Sequence, residues 1–432
     1  MADSLTEVFR REAGPVTATL IRVLGDIDLA EDAVAEAFTI AAERWPADGI
    51  PPNPGGWITT TARNRAIDRI RRETGRDQRH RDAHHLHTDM NPAPKSQRDE
   101  LDELDRLVDV VADDQLRLMF LCCHPALSAD AQVALTLRLL GGFDTTEIAH
   151  AFVVPEPTIA QRIVRAKRKL RDNHASYRIP SHAELPDRLD AVLAAIYLVF
   201  TEGHTATTGA ELTRIGFSSE AIRLGRVLVD LMPAAPEAVG LLALMLLTEA
   251  RRPARTDSTG AMVRLADQDR TLWDRDLISE GHGLVRDCLR RNQPGQYQIL
   301  AAIAAVHADA RTAADTDWAQ IVALYDQLAR TRPNPIVHLN RAVAIAQHRG
   351  PAVGLAALEQ IADDRLADYQ PYHAARADLM ARVGRHTEAL DAYDAAIRLT
   401  NNPVEASFLV GQRERVATLH TPPLSEGRTD AD

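Results

Sequence analysis

Apolar positions return every three or four residues along most of this chain, and that spacing predicts helix after helix. Phe9, Val16, Leu20, Val23 and Leu24 mark a first helix. In "DIDLAEDAVAEAFTIAAERW" a second helix is expected to start at Asp28 as N-cap, with Leu29, Ala33, Val34, Ala37, Phe38 and Ala41 on one face. Glu31, Asp32, Glu36 and Glu43 fall elsewhere on it. "PADGIPPNPGG" interrupts the pattern with Pro and Gly. From Trp57 to about Arg81 a long helix follows, with Ile67 and Ile70 as its apolar side. Residues 82–98, "DAHHLHTDMNPAPKSQR", have almost no apolar positions and read as an extended linker.

A second helical unit starts with "ELDRLVDVVADDQLRLMFLCCHPAL". "SADAQVALTLRLLGG" runs from an N-cap Ser128 to a stop at Gly141-Gly142, and "DTTEIAHAF" is a short helix. After the "VVPEP" turn, "TIAQRIVRAKRKLR" closes the unit. Ile148 and Ala149 face inward on one side of that turn, and Ile159, Ile163 and Ala166 on the other, which is the pattern of a helix-turn-helix. Beyond "YRIPSHAELPDR" the pattern stays helical through "RLDAVLAAIYLVFTEG", "SSEAIRLGRVLVDLMP" and "PEAVGLLALMLLTEARRPAR". A loop excursion, "ARTDSTGAMVRLADQDRTLWDRD", follows. Later, "IVALYDQLARTRPNP" and "ALDAYDAAIRLTNNP" align without a gap, sharing Tyr325/Tyr393, Asp326/Asp394, Arg330/Arg398, Asn334/Asn402 and Pro335/Pro403 at an offset of 68. That offset is twice the roughly 34-residue period of tetratricopeptide (TPR) repeats.

Composition agrees with an all-α fold. The chain has 432 residues with 45% apolar and only 4% aromatic content, so several helical domains are expected rather than one core. Its three cysteines, Cys122, Cys123 and Cys288, do not suit a secreted disulfide framework. The N-terminus lacks the signal-peptide pattern, and the best apolar run, Ala238 to Leu247, is about half of the roughly 20 residues a membrane span needs. The expectation is a soluble cytoplasmic protein with no membrane partner.

Charge changes the picture more. Formal net charge is −11, yet eight arginines stand against three acids between Arg63 and Arg81, and a second basic run fills "RIVRAKRKLR". Local field, not the total, decides whether phosphate is attracted. Arg65, Arg69, Arg72 and Arg76 fall near one helical stripe, downstream of Trp57 and a Thr run, which suits a nucleic-acid backbone and an unstacked base. On the last helix of the helix-turn-helix, Thr158, Gln161, Arg162, Arg165, Lys167, Arg168 and Lys169 share the non-packing face. Polar residues near its start suit base edges, and basic ones toward its end suit phosphates.

Taken together, "LAEDAVAEAFTIAAERW", "GGWITTTARNRAIDRIRR" and "TTEIAHAFVVPEPTIAQRIVRAKRKLR" resemble regions two and four of the extracytoplasmic-function (ECF) sigma factors of bacterial RNA polymerase, over roughly residues 5–175. The rest resembles the helical, TPR-like extension of one large ECF group. The resemblance implies that the second helix binds the largest polymerase subunits, through Asp28, Glu31, Asp32, Glu36, Phe38 and Trp45. It implies that Trp57–Arg72 reads and opens the −10 element, with Asn64 at the pocket for a flipped base and Trp57, Thr60, Thr61, Arg63, Arg65, Asp68, Arg69 and Arg72 around it. It assigns the −35 element to Thr158, Gln161, Arg162 and Arg165, with Lys167, Arg168 and Lys169 beside them. Both duplex and melted promoter DNA are then partners. The extension would take a protein partner or fold back on the sigma domains, replacing a separate anti-sigma factor.

The expected organisation is 1–81 for region two, 82–111 for the linker, 112–175 for region four, 176–296 for a helical extension, 297–420 for TPR-like repeats and 421–432 for a disordered tail. No catalytic residue, cofactor or metal site is expected. Cys122-Cys123-His124 lacks the spacing of a tetrahedral zinc site, so the cysteines read as small buried hydrophobes. His80, His84, His85 and His87 read as solvated. Glu202, His204, Asp267, Asp269, Arg270, Trp273 and Asp274 form a polar-aromatic set that reads as a network joining helices, with a ligand pocket as the alternative. Two other functions compete: a polymerase-independent helix-turn-helix regulator with a TPR partner surface, and a ligand-sensing or hydrolytic module tethered to a DNA reader.

Overall fold

Six successive residues of the first helix, Val16 to Ile21, are buried. A surface helix hides one stripe; burial around the whole circumference needs neighbours on both sides. This computed structural model, which describes residues 2–81, 114–152, 154–173, 175, 177–181, 183–205, 215–361 and 366–420, supplies them. Helix α1 (Ala2–Leu24) packs on α2 (Ile27–Asp48) and α3 (Pro54–Arg81) with one side. Its other side meets the helix-turn-helix module: α4 (114–122), α5 (Ala129–Leu139), α6 (Thr145–Phe152) and α7 (Glu156–Asp172). At Gly14 the approach is so close that a Cβ would stand 2.6 Å from the Leu140 carbonyl oxygen. The described residues are helical and contain no strand, only an isolated bridge between Thr256 and Met262. The expected all-α architecture holds.

Local chemistry explains where the helices start and stop. Asp26, not Asp28, caps α2, accepting from the Leu29 amide at 2.9 Å. A cap must sit before the first helical residue and reach back to its third, a geometry that leaves Asp28 free in the first turn for other work. Helix α6 opens on a reciprocal pair: Asp144 accepts from the Glu147 amide, and Glu147 accepts from the Asp144 amide. Ser128 precedes α5 as expected, although its side chain makes no capping bond. Gly142 takes φ +68° where the chain leaves that helix. The core face of α2 is as predicted apart from Leu29, with Ala30 and Trp45 added. On α3 the buried stripe is Ile58, Ala62 and Ala66, while Ile70 is 40% exposed, because small residues let α3 lie close to its neighbours. The linker, the His80–His87 cluster and the C-terminal tail lie outside the described residues or side chains.

The chain divides into two compact units, Met1–Val199 and Phe200–Asp432. Residues past 175 therefore still belong to the first. Tyr177 places its hydroxyl 2.7 Å from the Ala18 carbonyl and 2.9 Å from that of Asp114, and Arg188 donates to the Phe120 carbonyl. Cys122 and Cys123 are buried and free, and burial pushes the Cys123 thiol up to about 12.

In the second unit α10 (Pro236–Glu249) is buried on every side and packs against α9 (Ile215–Leu231), α11 (Arg275–Arg291) and α12 (Gln296–Asp309). Helix α8 (Leu185–His204) ends in it. Helix pairs follow: α13 (Trp318–Thr331) with α14 (Pro335–Arg349), α15 (Pro351–Glu359) with α16 (Gln370–Arg382), and α17 (His386–Leu399) with α18 (Pro403–His420). First helices begin at 318, 351 and 386 and second helices at 335, 370 and 403, close to the ~34-residue spacing of the internal repeat. The shared residues have specific jobs. Asn334 and Asn402 cap α14 and α18 ahead of a proline at the first helical position, where a missing N–H costs nothing. Asp326 pairs with Arg341 at 2.5 Å, and Asp394 with Arg413 at 2.6 Å, each joining the two helices of a pair.

Two outcomes follow from these features. Asn402 is 1% exposed and Asn334 is exposed, so Asn402→Ala should cost roughly 2 kcal/mol and Asn334→Ala about 1, read from denaturant unfolding. Burial also holds the His204 and His307 rings neutral, with pKa values lowered to about 4. Glu249, 3.8 Å from His204, pulls its pKa upward, but burial outweighs that attraction. Between pH 6.5 and 4 the unfolded chain therefore binds protons that the fold excludes. Stability of this unit should fall through that window, by at most ~3 kcal/mol per ring, and level off below it. Unfolding measured at pH 7 and 4.5 should show a smaller loss in His204→Gln.

Candidate nucleic-acid and polymerase interface

The sequence-predicted residues sort by helix. On α3, Thr60, Arg63, Asn64, Arg65 and Asp68 are exposed, while Thr61 and Trp57 are half-buried. The Thr60 hydroxyl donates to the Gly56 carbonyl at 2.9 Å, which fixes its rotamer and leaves its lone pairs outward. Trp57 stacks edge-on against Trp45 of α2, centroids 5.3 Å apart. Arg69 reaches back to Asp32 at 2.7 Å. The Arg72 side chain lies outside the described residues. Helix α3 thus presents Asn64 within a ring of exposed polar and cationic groups, on a helix anchored by Ile58, Ala62 and Ala66.

On α2 the acids and the aromatics part company. Asp28, Glu31, Asp32 and Glu36 reach the surface to differing degrees. Phe38 and Trp45 do not: they are 7% and 5% exposed, and Phe38 packs edge-on against Phe9. Both aromatics are core residues of this bundle that hold α2 in place.

On α7, Thr158, Gln161, Arg165, Arg168 and Lys169 are exposed. Arg162 is half-covered and lies 3.6 Å from Asp130. Lys167 departs from the expectation. It is 8% exposed, and its ammonium lies 2.8 Å from Asp28 and 2.6 Å from Glu31. Arg171 also pairs with Asp28, and Arg138 of α5 donates to Glu31 at 2.5 Å. Burial alone would raise the Asp28 carboxyl, but Lys167 and Arg171 outweigh it and hold it below the usual carboxylate range. Burial alone would likewise lower Lys167, and its two carboxylates hold it above its usual value. Each charge thus stays ionised because the other is present. The period of α7 puts Lys167 on the flank of its packing stripe, four residues after Ile163 and three before Leu170, but Arg138, Arg171 and Asp114 carried no signal across separations of more than 90 residues.

The polar-aromatic set of the second unit does not assemble into one site. Asp269 and Asp274 are spent as caps on Thr271 and on α11. Arg270 lies over the Trp273 ring, 4.6 Å from its centroid, and donates to the His307 and Ala310 carbonyls. A cavity of about 620 Å³ lies beside it, lined by Arg270, His307, Trp318, Tyr393 and Phe408 among others. Asp267 pairs at 2.7 Å with Arg264, which also lines that cavity. This is largely the network reading. Among the described residues no group of His, Cys, Asp and Glu could hold a metal ion, and no helix is long and apolar enough to cross a membrane.

Comparison with known proteins agrees with this division. Residues 8–76 match the Sigma-70 region 2 family, and residues 117–170 match Sigma-70, region 4. Residues 188–289 match a family of unknown function, DUF6596. The chain is 41% identical over 398 residues to Uncharacterized protein R00370 of Rhizobium meliloti (strain 1021), covering 92% of each. It is 28% identical over 171 residues to Probable ECF RNA polymerase sigma factor SigI of Mycobacterium tuberculosis, covering 40% of this chain and 56% of that protein. No solved structure matches it. The chain thus carries sigma-70 region 2 and region 4 domains ahead of a C-terminal helical extension, and it is a distant homologue of an ECF sigma factor. Sigma factors are transcription regulators rather than enzymes, and sigma-70 regions 2 and 4 imply core RNA polymerase and promoter DNA as partners.

One stability outcome tests how the helix-turn-helix module is fastened to α1. The Asp114 carboxylate has no exposed surface and lies 2.8 Å from Arg22 and 3.4 Å from Arg117. Asp114→Ala removes the buried anion that Arg22 and Arg117 share and leaves two guanidiniums that water still reaches, 38% and 28% exposed, so it should cost the first unit about 1 kcal/mol. Arg22→Ala instead takes the nearer cation from a carboxylate with no exposed surface and should cost more, about 3 kcal/mol. Thermal unfolding of the two variants gives the comparison.

Proposed function

We propose that the chain directs core RNA polymerase to promoters, reading the −10 element through α3 and the −35 element through α7. What carries this reading is the pairing of two basic helices, each with an exposed polar face, in the two segments that match sigma-70 regions. Asn64 takes the flipped base, because its amide offers both donor and acceptor and stands exposed among Thr60, Arg63 and Arg65. Arg65, Arg69 and Arg72 neutralise the melted strand beside it. Thr158, Gln161, Arg162 and Arg165 meet base edges in the major groove, and Arg168 and Lys169 meet phosphate.

The acids of α2 form the polymerase surface: Asp28, Glu31, Asp32 and Glu36 make the contact, and Phe38 and Trp45 hold the helix that carries them. The repeat pairs of the extension present a surface to a protein partner that controls the factor. Truncation after Thr205, assayed for run-off transcription with core enzyme, tests that control. Equal activity at every concentration would count against it.

Reconstitution with core polymerase tests the rest. Unstacking one base costs a few kcal/mol, so Asn64→Ala should lower open-complex formation about tenfold while duplex binding stays unchanged. Asp32→Lys with Glu36→Lys should weaken core binding at least as much. A polymerase-independent regulator would show neither effect and would bind its DNA equally well without core enzyme.

A further inference from the structure

The cavity beside Arg270 is walled by parts of the second unit that lie far apart in sequence. Residues 250–274 leave α10 and return at α11, and their base is closed where the Asp274 amide donates to the Ala250 carbonyl at 2.9 Å. Within this excursion Asp257 accepts from the Thr259 and Ala261 amides, and the Thr256–Met262 bridge draws the chain back on itself. Met262, Leu265 and Ala266 then close one side of the cavity, and α12, α13, α14, α16, α17 and α18 supply the others. Its volume of about 620 Å³ falls within the roughly 300–1,000 Å³ of small-molecule sites. Apolar and aromatic side chains dominate the walls, among them Leu265, Val343, Trp318, Tyr393 and Phe408.

The ionic groups on these walls do not cancel. Arg264 and Arg382 have acids of their own, Asp267 at 2.7 Å and Asp378 at 3.4 Å. Arg270 has none: among the described residues no carboxylate lies within ion-pair distance, although the residue is only 9% exposed. Its Nη1 donates to the His307 and Ala310 carbonyls and its guanidinium lies over Trp273, while Nε and Nη2 have no hydrogen-bond partner among the described residues. Arg251 adds to the local positive charge. Burial pushes its guanidinium down to about 10, and Arg255 and Arg270 push the same way. His307, on the cavity wall, is held neutral by burial and by Arg251 and Arg270. Gln412, also on the wall, keeps a buried Nε2 donor without a partner. A nearly buried guanidinium without an acid is costly, and its planar fork matches a carboxylate or phosphate.

We infer that this cavity is a binding site for a small amphipathic organic anion, its carboxylate or phosphate head on Arg270 and its apolar body among Trp318, Tyr393 and Phe408. The head supplies the acid that Arg270 lacks, and the body covers walls that water solvates poorly. A small molecule suits the space better than a polypeptide, because residues 262–266 of the chain itself already close one side. Arg270 is pre-aimed: its two carbonyl bonds and the Trp273 ring fix the guanidinium before any ligand arrives. Nothing in this inference depends on how α3 and α7 meet DNA.

Titration calorimetry of the free full chain, without DNA or polymerase, compares octanoate, 4-phenylbutyrate and octyl phosphate with uncharged octanamide at matched ionic strength. At least one anion should bind once per chain and about tenfold or more tighter than octanamide, and its head group tells carboxylate from phosphate. Arg270→Gln should weaken that anion about tenfold and leave octanamide unchanged. Arg270 also ties the excursion to α12, so a second variant leaves every charge in place. Ala374→Phe puts a ring into the cavity and should weaken the same anion at least about tenfold, with helicity by circular dichroism unchanged. Octanamide binding as tightly as every anion overturns the inference. So does the absence of binding by all three anions, or full affinity in either variant at native helicity.

Discussion

One ammonium group between two carboxylates organises the first half of this molecule. A lysine is almost never buried unless paired, because removing its charge from water costs several kcal/mol. Lys167 meets that cost with Asp28 and Glu31 together, and Arg138 and Arg171 complete the set. The arrangement is cooperative: the cations keep Asp28 ionised, and the acids keep Lys167 charged. Because the acids sit on α2 and the cations on α5 and α7, this single cluster decides where α7 stands relative to α2.

The same cluster explains how an acidic protein carries two strongly basic helices. Their charge is partly answered inside the chain, by carboxylates on the neighbouring helix rather than by counterions. What remains exposed on α3 and α7 is the set suited to bases and backbone: Thr60, Arg63, Asn64 and Arg65 on one, Thr158, Gln161, Arg165, Arg168 and Lys169 on the other. Burial of α1 on both sides supplies the apolar counterpart, fixing the approach of the two modules through close backbone packing that charge alone would not specify.

Much of this was legible in the sequence, for physical reasons that differ by feature. Helical periodicity located nearly every element because amphipathic faces are local: Ala33, Val34, Ala37, Phe38 and Ala41 had only one way to be buried together. The repeat was legible because Asn-Pro at 334–335 and 402–403 is an N-cap followed by a first-turn proline, a purely local solution. Two errors were also local. Asp28 looked like a cap because it precedes an apolar run, yet Asp26 alone reaches the Leu29 amide. Ile67 and Ile70 looked like the packing side of α3 because they are large, yet Ile58, Ala62 and Ala66 let the helices approach closely. What could not be read was anything that joins distant segments. Lys167 stands in sequence among five other cations, and the acid that it meets lies 136 residues earlier in the chain.

The central claim is an energetic coupling between that lysine and that acid, and a double-mutant cycle measures it most directly. Glu31→Gln and Lys167→Met would be made singly and together in the intact protein and read as hydrogen-exchange protection of peptides from α1 and α7. The account predicts a coupling of at least ~1 kcal/mol, with the double variant far less destabilised than the two single losses combined. Additive losses, within the ~0.3–0.5 kcal/mol expected of independent sites, would contradict it.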